Sequence, residues 1–235
     1  VDSKKTHVWK PLLHEIAAGS LNPEKDELDY LAQAHWHNFK FRLGKMIDLD
    51  RTKKEIILES FNDGEGIEII PKRKFNYDTL IISVGSAIND FGIKGAAQNT
   101  IALDTQGQAQ RFHQKLHNAI LKAQTQSSDD FGFPLKEPEQ LEVVIVGAGA
   151  TGVELAAELH KATREMTAYG LDNVNPDRDI KISLIEASDR LLPALPKRMS
   201  YSVETELKKL KVNLYLGEKV TEVTNKGIKT HTGRY

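Results

Sequence analysis

The stretch Val143-Val-Ile-Val-Gly-Ala-Gly-Ala-Thr-Gly-Val-Glu-Leu-Ala-Ala-Glu-Leu159 decides the fold. Four apolar residues, Val143–Val146, run straight into Gly147-Ala148-Gly149-Ala150-Thr151-Gly152, and helix-forming residues follow at once. That order predicts a buried strand, a tight turn and a helix. Each glycine has its own physical task. The first permits the tight turn, the second lets backbone amides approach an anion, and the third lets helix and strand pack closely. The free N–H groups and positive dipole end of the helix then favour a pyrophosphate, so the motif predicts a dinucleotide site. A strand-to-helix turn without a ligand is the alternative for a glycine triplet standing alone, and the flanking strand and helix argue against it.

A second signal lies at Glu186, which ends the next predicted strand, Ile180–Glu186. A carboxylate there accepts hydrogen bonds from the adenosine ribose. Its distance from the glycines exceeds the usual roughly 20 residues because Tyr169–Asp179 is inserted before the strand. The same carboxylate opposes a 2′-phosphate, which favours NADH over NADPH, with Arg190 as the complicating cation. Glu154 and Glu158 are one turn apart on the predicted helix, where like charges cost about a few tenths of a kcal/mol. Spacing leaves Glu154 with two readings: an ordinary acid near a helix N-terminus, or a carboxylate in the cleft beyond the pyrophosphate, near the nicotinamide.

Strand Leu141–Val146, helix Thr151–Tyr169, polar loop Gly170–Asp179, strand Ile180–Glu186, helix Ser200–Lys209 and strand Lys211–Leu216 alternate as a parallel doubly wound α/β sheet requires. Upstream, Gln126–Glu139 carries Ser127-Ser128-Asp129-Asp130, Gly132, Pro134 and Pro138 and reads as a linker between domains. Thr105–Thr125 has helical spacing. Pro11–Ala18 predicts a short helix stopped by Gly19, and Asp29–Trp36 another. Between them and the linker lies a β-rich block with strands expected at Phe39–Asp50, Glu55–Glu59, Gly66–Ile70 and Thr79–Val84. Val1-Asp2 reads as the end of a strand and His231–Tyr235 as a turn entering another, so the sequence is expected to be a fragment.

The 235 residues are 40% apolar, enough to build real cores. Thirty-two basic against 33 acidic residues leave a net charge of −1, and no long basic run offers a stripe for nucleic acid. No apolar stretch approaches the roughly 20 residues of a membrane-spanning helix. The absence of cysteine removes thiolate chemistry and disulfides from this stretch. His35-Trp36-His37 has no carboxylate cluster beside it and fits surface or packing positions better than a metal site.

Taken together, His7-Val-Trp-Lys-Pro-Leu-Leu-His-Glu-Ile-Ala-Ala-Gly-Ser20, Tyr77-Asp-Thr-Leu-Ile-Ile-Ser-Val-Gly-Ser86, Val146–Glu158, Leu184-Ile-Glu-Ala187 and Leu192-Pro-Ala-Leu-Pro196 resemble type II NADH dehydrogenases over essentially the whole chain. The resemblance implies two doubly wound, Rossmann-like α/β domains, an NAD domain inserted in an FAD domain, each with a β-meander and both incomplete here. Residues 1–125 would be partial FAD domain, 126–140 linker and 141–235 NAD domain. It implies that Asp2 binds the ribose of FAD with Ser3 beside it, and that Met46 makes a backbone contact to the flavin adenine. Pro11 and Leu12 would lie near the flavin ring. Gly85 and Ser86 would follow the strand that leads past the FAD, although Ser83 stands where the family has alanine. Glu154 matches a glutamate implicated near the nicotinamide and in quinone protonation.

The implied reaction passes a hydride from NADH to FAD and then two electrons to a membrane quinone, without proton pumping. The implied place is the cytoplasmic face of a bacterial inner membrane, with a homodimer among the assemblies allowed. Rival readings are flavoprotein disulfide reductases and sulfide:quinone reductases, both of which need cysteines, and an NAD- or FAD-binding redox sensor without turnover. This stretch alone is expected neither to hold FAD stably nor to turn over.

Overall fold

The computed structural model describes residues 1–126, 140–169 and 174–233. The expected linker, beyond Gln126, lies outside the described residues, as does the start of the loop expected at Gly170–Asp179. The chain forms two compact units, Val1–Trp9 with Glu24–Ser86, and Lys10–Pro23 with Ala87–Tyr235.

The first unit is built on a three-stranded antiparallel sheet in which Glu55–Leu58 lies between Met46–Asp50 and Arg73–Asn76. Ile56 and Leu58 alternate onto the buried face. The tight turn after Asp50 is held by its own carboxylate, which accepts from the backbone N–H of Thr52 at 3.0 Å and of Lys53 at 2.9 Å. Helix Tyr30–His37 starts where the Asp29 side chain accepts from Ala32 N–H at 2.8 Å, an N-cap that satisfies one orphan donor.

Two expected strands differ from what forms. Only Met46–Asp50 of Phe39–Asp50 is strand. Asn38 turns left-handed at φ 55°, and Leu43 makes a single parallel bridge to Asp2 instead of a ladder. Thr79–Val84 forms no strand, because no described segment pairs with it, and Ile81 and Val84 stay 83% and 84% exposed. A run apolar on both faces becomes a strand only when neighbours pair its edges and cover its faces.

In the second unit, helix α1 (Leu13–Ala18) follows a 3-10 turn at Lys10–Leu12 and packs on α2 (Gln106–Gln126). Strand β1 (Leu141–Val146) leads into α3 (Ala150–Ala168), which is followed by β2 (Ile180–Glu186), α4 (Lys197–Lys209) and β3 (Asn213–Leu216). The three strands are parallel in the order β3-β2-β1, which is half of a doubly wound nucleotide-binding sheet. Leu155, Leu159 and Ala162 recur at helical spacing on α3 and are buried, and α3 packs on β1 and β2, whose Ile145, Ile182 and Leu184 are buried too. The hairpin of β4 (Val220–Val223) and β5 (Ile228–Thr230) closes a smaller apolar cluster with Ala96 and Ile185.

Where a loop was expected before β2, Pro176–Asp179 forms one helical turn capped by Asn175. Asp179 is buried there and holds Arg178. The hydrogen bond from that guanidinium, opposed by burial and helped by the Asn175 amide, keeps its carboxyl below the usual range.

Gly19 ends α1 in the left-handed region at φ 91°, and a Cβ added there would stand 2.3 Å from the His113 ring of α2. Gly19→Ala in the full natural chain is expected to cost about 1–3 kcal/mol, from backbone strain and the displaced imidazole. A urea-denaturation midpoint unchanged by the substitution would show that the ring yields without cost.

Candidate functional site

The turn between β1 and α3 is shaped by its first and third glycines. Gly147 sits at φ 103°, and its N–H donates to Ile185 O on β2 at 2.8 Å. A Cβ on Gly152 would lie 2.0 Å from the Gly147 carbonyl oxygen, so helix and turn meet too closely for any side chain. Gly149 is different. It has ordinary extended dihedrals, φ −69° and ψ −179°, and a Cβ there would meet nothing within 4 Å. Among the described residues nothing demands glycine at that position, and the open space in front of it is what a pyrophosphate would fill. Gly149 is the N-cap residue of the 19-residue α3, and no side chain caps it. The first N–H groups of Ala150, Thr151 and Gly152 therefore offer a polarised anion cradle.

Glu186 stands over this turn. Its Oε2 accepts from Ala148 N–H at 2.8 Å and its Oε1 from Ser188 N–H at 2.7 Å. Burial pushes the carboxyl up, but the amides of Ala148, Ser188 and Ala187 outweigh it and hold the pKa below the ordinary range. Glu186 is therefore ionised at neutral pH. The other side of the turn is braced by Leu192, whose N–H donates to Ala148 O at 2.8 Å.

Arg190 is committed elsewhere. Its guanidinium donates to Leu195 O at 2.7 Å, to Ser200 Oγ at 3.0 Å and to Pro193 O, bracing the Pro193–Pro196 loop. Glu154, on the second turn of α3, is half exposed and faces His14 of α1, with 3.6 Å between Oε2 and Nδ1. Pro11 and Leu12 lie in the 3-10 turn just ahead of α1. Lys10, in the same turn, pairs with Asp104. The second unit thus brings together the glycine turn, Glu186, Glu154 and His14.

The remaining candidates lie in the first unit. Asp2 bridges Leu43, and its carbonyl accepts from Gly44 N–H at 2.8 Å, which sets it next to the segment that enters the strand at Met46. Its Oδ2 accepts from the Tyr30 hydroxyl at 3.0 Å, and its Oδ1 from Lys4 N–H at 2.9 Å. Ser3 is exposed beside it. Gly85, at φ 75°, and exposed Ser86 end the extended Thr79–Val84 segment. Two residues of these arrangements escaped the sequence reading, His14 and Tyr30. His14 lies inside the quoted His7–Ser20 motif, while Tyr30 follows a capping aspartate with no signal of a role beyond its helix.

The family profile described as pyridine nucleotide-disulphide oxidoreductase matches residues 1–235. The chain belongs to that family. It is 39% identical to the type II NADH:quinone oxidoreductase of Haemophilus influenzae over 239 residues, covering 99% of this chain and 54% of the relative. It is 28% identical to the external NADH-ubiquinone oxidoreductase 2 of Saccharomyces cerevisiae mitochondria, covering 98% of this chain and 41% of the relative. The chain thus spans about half the length of the curated relatives it matches. The NDH2 of Plasmodium falciparum, solved in complex with NADH, superposes with a TM-score of 0.75 at 23% identity over 95% of this chain and 44% of that one. A sulfide:quinone oxidoreductase of Aquifex aeolicus superposes with a TM-score of 0.69 at 15% identity over 99% of this chain and 48% of that one. At such identities the likeness bears out the expected Rossmann-like α/β fold and no more.

Two measurements probe the site. Gly149→Ala is expected to leave the unfolding midpoint nearly unchanged and weaken NAD+ binding by about 10-fold or more, whereas Gly152→Ala lowers the midpoint itself. Equal destabilisation by both would mean that Gly149 is a packing residue. Burial, then the hydrogen bond to Asp2 and its charge, push the Tyr30 hydroxyl from 10.0 up to about 12. The stability this contact adds is therefore full below pH 10 and lost as pH rises through about 12. Ultraviolet titration should show a last tyrosinate step there that Tyr30→Phe removes; an unchanged titration would contradict the contact.

Proposed function

We propose that the full natural chain containing this sequence is a type II NADH:quinone oxidoreductase, taking a hydride from NADH onto FAD and passing two electrons to a membrane quinone without pumping protons. The observation that carries the reading is the Glu186 carboxylate, fixed by Ala148 N–H beside a glycine turn that has room for a pyrophosphate. The 39% identity to the Haemophilus influenzae quinone oxidoreductase supports the choice of reaction.

Gly147, Ala148, Gly149, Ala150, Thr151 and Gly152 would receive the NADH pyrophosphate on α3 amides. Glu186 would accept its ribose hydroxyls and would repel a 2′-phosphate. Arg190 is committed to the Pro193–Pro196 loop and does not offset the repulsion, which favours NADH over NADPH. Glu154 would face the nicotinamide, and Pro11 and Leu12 the flavin ring; the turn carrying them shares a compact unit with Glu154. Asp2, Ser3, Met46, Gly85 and Ser86 would contribute to FAD binding. By chain position, residues 1–125 would belong to the flavin domain and 141–235 to the nicotinamide domain. When bound, the flavin supplies the two-electron chemistry, and the protein's part is orientation.

This stretch has no cysteine, so a disulfide reaction could not run on it. Among the described residues no helix is long and apolar enough to cross a membrane. We place the enzyme on a membrane surface, at the cytoplasmic face of a bacterial inner membrane, and allow a homodimer.

In the full natural chain, anaerobic NADH should bleach the flavin absorbance, and added quinone should restore it. Bound NADH with a flavin that stays oxidised would refute the proposal. Glu186→Gln should lower kcat/KM for NADH by about 10- to 100-fold, the loss of a hydrogen bond to a charged group, and narrow the preference over NADPH. An unchanged NADH-to-NADPH ratio would remove Glu186 from the nucleotide site.

A further inference from the structure

His14 sits between two carboxylates and is bonded to neither. It lies on α1, one turn from Pro11 and Leu12, and its side chain is only 12% exposed. Its Nδ1 is buried with no hydrogen-bond partner among the described residues. That nitrogen points at Glu154 Oε2 of α3, 3.6 Å away, while Nε2 is 3.9 Å from Glu15 Oε1 of its own helix. From the other neighbour of α1, the His113 ring of α2 lies against Gly19, at the opposite end of the helix.

A buried imidazole nitrogen without a partner forfeits roughly 1–3 kcal/mol of solvation. The group able to offset that loss is Glu154. Its side chain is 49% exposed, and a movement of roughly 0.6 Å brings its carboxylate within hydrogen-bond distance of Nδ1. The two partners are unequal: His14 is held by the packing of α1, and Glu154 is free to swing. In such a pair the fixed member orients the mobile one.

We propose that His14 is a positioning residue for Glu154. Its Nδ1–H fixes the carboxylate at the mouth of the glycine turn and ties the Pro11–Leu12 turn to the residue facing the nicotinamide. The consequence for the nucleotide rests on the reading of Glu154 above; the contact itself does not. Both the cationic imidazole and its Nδ1–H tautomer make the donor, so the tie requires no change of protonation.

The test is a double-mutant cycle of His14→Leu, Glu154→Ala and the pair in the full natural chain, followed by thermal unfolding and by the Kd for NAD+. His14→Asn, which keeps an N–H donor near the Nδ1 position, serves as the rescue. His14→Leu should weaken NAD+ binding by about 3- to 10-fold, the size expected of one charge-assisted hydrogen bond. His14→Asn should restore most of that, and the effect of His14→Leu should vanish in the Glu154→Ala background. The Tm losses of the two single changes should not add. Additive Tm losses overturn the inference, as does a His14→Leu effect on Kd of the same size with and without Glu154, or a failure of His14→Asn to restore binding. If Glu154→Ala alone leaves NAD+ affinity unchanged, the nicotinamide assignment falls, and the Tm cycle still decides the contact.

Discussion

The strand, glycine turn and helix of the second unit are joined to the next strand by one hydrogen bond, from Ala148 N–H to the Glu186 carboxylate. It joins the turn after β1 to the end of β2, and Gly147 N–H donating to Ile185 O adds a second tie between the same two segments. Parallel register puts Val146 opposite Ile185, so the residue after Ile185 falls beside the turn whatever the length of chain between. The long insertion that stretched the sequence spacing therefore changes nothing in the geometry. Register, set by the hydrophobic pattern of the two strands, places the acid.

The same bond explains how a partly buried carboxylate stays charged. Burial alone would favour the neutral acid, but the amides pointing at it favour the anion and win. In the proposed site, a charged acceptor already held in place would give up little freedom on meeting ribose hydroxyls. The brace from Leu192 to Ala148 O fixes the other side of the turn, and Arg190 fixes the loop that supplies Leu192.

Much of this unit was legible in the sequence. Strand Ile180–Glu186 has the bounds expected of it, and the long helices lie within a few residues of their periodic patterns. Local physics suffices for such elements. Thr79–Val84 is nearly as apolar as β1 yet forms no ladder, because strand formation depends on a partner that composition does not reveal. Phe39–Leu43 alternates like a strand but is turned aside at Asn38 and Gly44. The contacts of Tyr30 with Asp2 and of His14 with Glu154 join residues from separate elements, and neither residue stands out from its own helix. Long-range polar pairs leave no periodic trace.

The three glycines of the turn separate folding from ligand binding. Two are demanded by the chain, Gly147 by its left-handed backbone and Gly152 by the carbonyl pressed against it. Gly149 has a backbone that any residue adopts and empty space where a side chain would go. Glycine also makes the unfolded chain more flexible, so for stability alone another residue would serve better at Gly149. What makes glycine suitable there is something that must come close to the backbone amides from the open side. An anion at the N-terminus of α3 meets that description, since a methyl group would hold it away from the N–H groups that bind it.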